Sequence, residues 1–211
     1  MYSSWNTAAR TFALLFVTVV ASPVWASDPQ VIQVEEDWEL VIADPDAGTT
    51  APQVTCSISP RSDLSNLYAT IELNHKTMPA FATGGVHLQT WSGDYNLSRR
   101  DTVNTNKLST SGETITWTTR MSLVNYAVTF SIQNGQSTTW GTFGGNGLSA
   151  SYGSSLTSLN NYSPSVSVQN SGVGYASNRV RSLTLKRVRY TLADGQIYTD
   201  DAPRVVHALD E

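Results

Sequence analysis

The sequence predicts an all-β chain folded as an antiparallel two-sheet β-sandwich. Three observations carry that expectation. Apolar and polar residues alternate with period two in many stretches. Gly and Asn break those stretches into short strands of ~6 to 10 residues, as sandwiches require. No window of the 211 residues holds a 3.6-residue apolar period.

The first 26 residues stand apart from this pattern. Arg10 precedes an apolar run over 12–21, followed by Pro23 and the ending Val24, Trp25, Ala26. A cationic start, a short apolar centre and a small-residue site predict a secretory signal peptide cleaved after Ala26. The run falls short of the ~20 residues that span a bilayer, and no later segment is apolar enough to anchor the chain. The expectation is a secreted, periplasmic or extracellular protein with residues 27–211 as one domain.

The first strand is expected at 31–42, VIQVEEDWELVI. Ile32, Val34, Trp38, Leu40 and Ile42 share one parity and should face the core; Glu35, Asp37 and Glu39 share the other and should face water. Glu36 interrupts the apolar row. DPDAGTT follows, with Asp44, Asp46 and Gly48 hinting at a calcium loop. An EF-hand-type loop needs an Asp or Asn at its fifth position and a Glu at its twelfth, where Gly48 and Thr55 stand. A turn built on Pro45 and Gly48 is the better expectation.

Next come QVTCSIS, with Val54, Cys56 and Ile58 on one face, and LYATIELN, with Ala69, Ile71 and Leu73 opposing Thr70, Glu72 and Asn74. Cys56 is the only cysteine, so no internal disulfide forms and the thiol is expected in the core. In GGVHLQTWSGDYNLSRRD, Val86 and Leu88 should point inward, placing His87 and Trp91 on the outer face ahead of a turn at Asp94, Tyr95 and Asn96. ETITWTTRM sets Ile115, Trp117 and Met121 inward. NYAVTFSIQNG sets Tyr126, Val128, Phe130 and Ile132 inward and predicts a hairpin turn at Asn134 and Gly135. Residues 141–165 read as a long surface loop with room for a short strand. In NRVRSLTLKRVRYTLADG, Leu183 and Leu185 share one parity while Val188, Tyr190 and Leu192 share the other, predicting a bulge near Lys186 and Arg187. Asp194 and Gly195 mark a turn.

Charge is unevenly placed. Without Arg10 the chain carries 12 basic and 17 acidic residues, a net charge of −5, which argues against nucleic acid as a general partner. Seven acids lie within 28–46 and five basic residues within 179–189. The basic run reads either as a patch for an anionic surface or, preferably, as a strand paired with the acidic first strand.

Two stretches carry a family resemblance. VTFSIQNGQSTTWGTFGG resembles a hairpin of concanavalin A-like domains, and SGVGYASNRVRSLTLKRVRY is similar to the closing part of laminin-G-like sandwiches. The resemblance spans about half of the mature chain and implies a jelly roll whose concave face or rim loops bind glycans. The Glu35, Asp37, Glu39 spacing also resembles the catalytic strand of laminarinase-type retaining glycosidases. That resemblance implies Glu35 as nucleophile, Asp37 as tuning residue and Glu39 as acid/base. Retaining chemistry needs carboxyls ~5 to 5.5 Å apart, whereas strand residues i and i+4 lie ~13 Å apart at ~3.3 Å per residue. The acids should therefore be inert.

No other catalytic or metal signature is present. His75, His87 and His207 show no metal-ligand spacing, and there is no nucleophile elbow or P-loop. Asn96 and Asn161 fit glycosylation sequons. No cofactor is expected. The candidate ligand-binding residues are His87, Trp91, Asp94, Tyr95 and Asn96, with Trp140 as a second aromatic, because an exposed Trp or Tyr beside Asp and Asn suits a sugar. The expected role is non-catalytic recognition of carbohydrate or cell-surface material. The alternatives are a structural component of an envelope or matrix, and a glycosidase using the three acids.

Overall fold

The computed structural model describes residues 29–44, 51–74, 85–102 and 106–209. The signal peptide, the turn at Asp46 and Gly48, and His75 lie outside the described residues. The strands are β1 (Val31–Ile42), β2 (Gln53–Ile58), β3 (Leu67–Leu73), β4 (Val86–Ser92), β5 (Tyr95–Asp101), β6 (Thr114–Val124) and β7 (Ala127–Ser137). They continue with β8 (Gly141–Phe143), β9 (Ser149–Gly153), β10 (Gly172–Tyr175), β11 (Val180–Leu192), β12 (Ile197–Asp200) and β13 (Arg204–Ala208). A short helix, α1 (Pro164–Gln169), precedes β10.

The strands form two antiparallel sheets. The larger runs β12-β11-β1-β6-β7-β8, with β13 also on β11 and β9 also on β7; the smaller runs β10-β2-β3-β4-β5. The chain is an all-β two-sheet sandwich. Its core is what period-two alternation dictates: Val34, Trp38, Leu40 and Ile42 of β1 and Ile115, Trp117 and Met121 of β6 meet Val54, Cys56, Ile58, Ile71 and Leu88 of the smaller sheet. The Trp38 and Trp117 rings face each other across the β1–β6 ladder, 6.2 Å apart and within 6° of parallel. Cys56 is buried, and loss of hydration holds its thiol well above the ordinary range.

The acidic and basic clusters meet where β1 pairs with β11. Glu35 lies opposite Arg189 and Asp37 opposite Arg187. Arg187 Nη2 is 2.6 Å from Asp37 Oδ2, Arg189 Nη2 is 3.1 Å from Glu35 Oε2, and Lys186 Nζ is 3.1 Å from Glu39 Oε1. Asp37 pairs with Arg187 while Trp38 pairs with Leu185, so Lys186 is the extra residue of a bulge. That bulge returns Leu185 and Val188 to one inward face, as the phase slip in the sequence predicted. Arg189→Glu would set a third carboxylate beside Glu35 and Asp37 and should cost on the order of 1 kcal/mol in urea denaturation. Arg181→Glu, on an exposed position, should cost little.

Three expectations are corrected. Asn134 and Gly135 do not turn the chain; they sit inside β7, where Asn134 has φ 54° and both residues stand opposite Trp117 as a bulge. The reversal comes at residues 138–140. Tyr126 is not inward but 68% exposed, in the left-handed turn between β6 and β7. Residues 141–165 are not one loop. They contain β8 and β9, both paired with β7, and bury Leu148, Leu159 and Tyr162. At Gly135 a Cβ would lie 2.4 Å from the Phe143 ring. Gly135→Ala should therefore push Phe143 off β7 and lower stability by about 1–3 kcal/mol in a denaturation curve.

Candidate functional site

The outer face of the smaller sheet follows from the inward face of its strands. With Ala69, Ile71 and Leu73 buried, Tyr68, Thr70 and Glu72 of β3 turn outward. They lie opposite Trp91, Gln89 and His87 of β4. β5 adds Asn96, Arg99 and Asp101 against the same three residues. A bulge between Thr90 and Trp91 takes up Leu97 and keeps Asn96 and Arg99 on one face despite their odd spacing.

Trp91 and Tyr68 are the aromatic centre of this face. Their rings lie 6.4 Å apart and within 11° of parallel, both half-buried. Trp91 Nε1 donates to Thr70 Oγ1 at 3.2 Å, and Asn96 Nδ2 donates to Gln89 Oε1 at 3.1 Å. Arg99 Nε donates to both Asp101 carboxylate oxygens, at 3.2 and 3.0 Å. Asp94 occupies the β4–β5 turn beside Gly93, whose φ of 55° closes it. Partial burial, and then the Asp94 charge, raise the Tyr68 phenol above its usual pKa. Amides, hydroxyls and charges thus ring two aromatic side chains, an arrangement that suits a ligand with an apolar face and hydroxyl edges.

The structure brings together Trp91 and Asn96, with Asp94 at the adjoining turn. His87 shares their face, but it is buried, not exposed: its Nδ1 lies 3.2 Å from Asp101 and 4.0 Å from Glu72. Parity fixes which way a side chain points, not what covers it. Tyr95 is 80% exposed and lies opposite Ser92, so alternation turns it away from Asn96 and out of the cluster. Trp140 is buried as well. Its Nε1 donates to the Asn106 carbonyl at 2.7 Å, and its ring meets Phe143 edge-on at 5.6 Å. Glu113 organises that turn by accepting from Ser137 Oγ at 2.5 Å and from the Thr139 amide at 2.8 Å. Trp140 and Phe143 line a recess of about 340 Å³ that Asp101 and Thr102 border. Tyr68, Thr70 and Gln89 were not singled out from the sequence, although their outward parity was readable in LYATIELN and VHLQTW.

Glu35, Asp37 and Glu39 occupy the outer face of the larger sheet. They are not left in open water: all three are half-buried and held by Arg189, Arg187 and Lys186. Thr118 Oγ1 also donates to Asp37 at 2.7 Å.

Glu36 sits in an environment far from the ordinary one for a carboxylate. It points into the core with 0% exposure. Trp38 Nε1 donates to its Oε2 at 3.0 Å, and the Tyr162 hydroxyl donates to its Oε1 at 2.7 Å. Burial raises its pKa to about 7 against the smaller opposing pull of hydrogen bonds from Ser167, Tyr162 and Trp38. Enclosed in this way, Glu36 ties the segment leading into α1 onto β1.

Among the described residues no group of three or more His, Cys, Asp or Glu side chains is placed to hold a metal ion. No helix among them is long and apolar enough to cross a membrane. No family model matches the chain, and no curated protein matches it.

Proposed function

We propose that the chain is an exported, non-catalytic recognition module that binds carbohydrate through the outer face of the smaller sheet. The observation that carries this reading is the pair of nearly parallel rings, Tyr68 and Trp91, set among Thr70, Gln89, Asn96 and Asp94. Aromatic faces take the apolar side of a sugar ring, and neighbouring amides and carboxylates take its hydroxyls. Export rests on the signal-like N-terminus. A glycan array, followed by titration of the best binder, tests the reading. Trp91→Ala and Tyr68→Ala should each lower affinity about tenfold or more, the loss of ~1.4 kcal/mol. Unchanged binding in both variants would remove the site.

An assembly role has its own support. Ile197, Tyr198 and Val205 are exposed on β12 and β13, where both strands pair with β11 at the margin of the larger sheet. Concentration-dependent oligomers abolished by Ile197→Lys would favour that role. The glycosidase alternative predicts glucan hydrolysis that Glu35→Gln and Glu39→Gln abolish.

A further inference from the structure

The recess beside Trp140 has no part in the reading above, yet it shares a residue with that face. Asp101 stands in the outward row of β5 with Asn96 and Arg99, and it also borders the recess. From Asn96 to Asp101 the face advances ~13 Å, the four ~3.3 Å steps from Trp91 to His87 on the paired strand, because the bulge takes up Leu97. The aromatic pair and the recess therefore mark the two ends of one track along β5. The recess has a largely apolar floor of Trp140, Phe143 and Leu148, with Asp101, Thr102 and Thr142 as its polar members. Gly147 leaves one wall without a side chain: a Cβ there would meet nothing within 4 Å.

We propose that this recess is an end subsite of the same binding face, and that it takes the acetamido group of an N-acetylated sugar. The inference rests on the carbohydrate-binding reading of that face. The methyl group fits the apolar floor, where burying it removes apolar surface from water. The acetamido N–H meets oxygen acceptors supplied by the polar members of the lining. A neutral sugar lacking that group would leave the floor facing water. A chain of several units, rather than a single ring, then bridges the recess and the Trp91–Tyr68 pair, and the second contact is made at high effective concentration.

The experiment is isothermal titration of the full chain with chito-oligosaccharides and cello-oligosaccharides of two to six units, which differ in the acetamido group. The expected result is chito-oligosaccharide affinity that rises with length and exceeds the cello-oligosaccharide value about tenfold at the longer lengths. Gly147→Phe, which sets a ring at the border of the recess where a Cβ meets nothing within 4 Å, should erase that preference and the gain with length. Binding of the shortest sugars should stay as in the parent chain. Equal affinity for the two series, or a Gly147→Phe variant that keeps the acetamido preference, overturns the subsite while leaving the Trp91 face standing. Absence of binding to every saccharide on the array and in both series overturns the face and the subsite together.

Discussion

Replacing Glu36 by Gln should flatten the pH dependence of stability between about pH 4.5 and 7. The folded-state pKa of Glu36 is raised from 4.5 to about 7 because the carboxyl is fully buried. The folded protein therefore holds a proton that the unfolded chain releases, and stability falls as pH rises through that window. At 1.36 kcal/mol per pKa unit the loss is about 3 kcal/mol, complete above the folded pKa and absent below the unfolded one. The amide of Glu36→Gln keeps the shape and cannot ionise, so the variant should outlast the parent in urea at pH 8 and lose that advantage at pH 4. Glu72, half-buried and also raised by burial, contributes with the same sign, so the difference between parent and variant isolates Glu36. Parallel stability profiles for the two proteins would show that the carboxyl is not charged at a cost in the core. Glu36→Ala should be harmful at every pH, since it strands the Tyr162 hydroxyl and the Trp38 indole N–H in the interior.

Trp117→Ala should produce a larger loss of stability than Arg189→Glu or Gly135→Ala. Trp117 is buried and faces Trp38 across β1 and β6. Truncating a buried Trp costs about 3–5 kcal/mol, part of it lost transfer energy and part the cavity left behind. For a domain whose whole stability is about 5–15 kcal/mol that is a large share, and the melting temperature should fall by on the order of 10 °C. Trp117→Phe retains much of the ring area and should cost less than half as much. Urea curves for the three proteins should share one m-value, since the surface exposed on unfolding is little changed. A cost below about 1 kcal/mol for the Ala variant would mean that the sheets close over the gap, and the Trp pair would not be the centre of the core.

The contrast between Trp117 and Trp91 shows how far the sequence could be read. Both sit in alternating strands, and parity assigned Trp117 to the core and Trp91 to the outer face, as the structure has them. The same rule located the Lys186 bulge, because two apolar rows of opposite parity can share one core only if a residue is inserted between them. The charge clusters separately favoured pairing of the acidic first strand with the basic one, and the structure supplies the register, Glu35 opposite Arg189 and Asp37 opposite Arg187. Parity fixes the direction of a side chain and leaves its burial open. His87 points outward yet is buried between Glu72 and Asp101, and Trp140 is tied down by Asn106, 34 positions away in the chain, and flanked by a turn that Glu113 holds from 26 positions away. Asn134 and Gly135 misled because left-handed backbone serves a bulge as well as a turn, and only the strands beside it select between them.

By itself, the sequence determined most strand phases, the two-sheet architecture and the burial of Cys56, and it favoured the basic strand as one partner of the first strand. Each of these is written in local alternation or in the sign of charges, which nearby residues settle among themselves. Only the tertiary structure decided that Glu36 lies sealed under Tyr162, that Tyr68 stands beside Trp91, and that Asp101 joins one face to the Trp140 recess. Those contacts bring together residues far apart in the chain, and no local pattern encodes which distant side chain will exclude water from another.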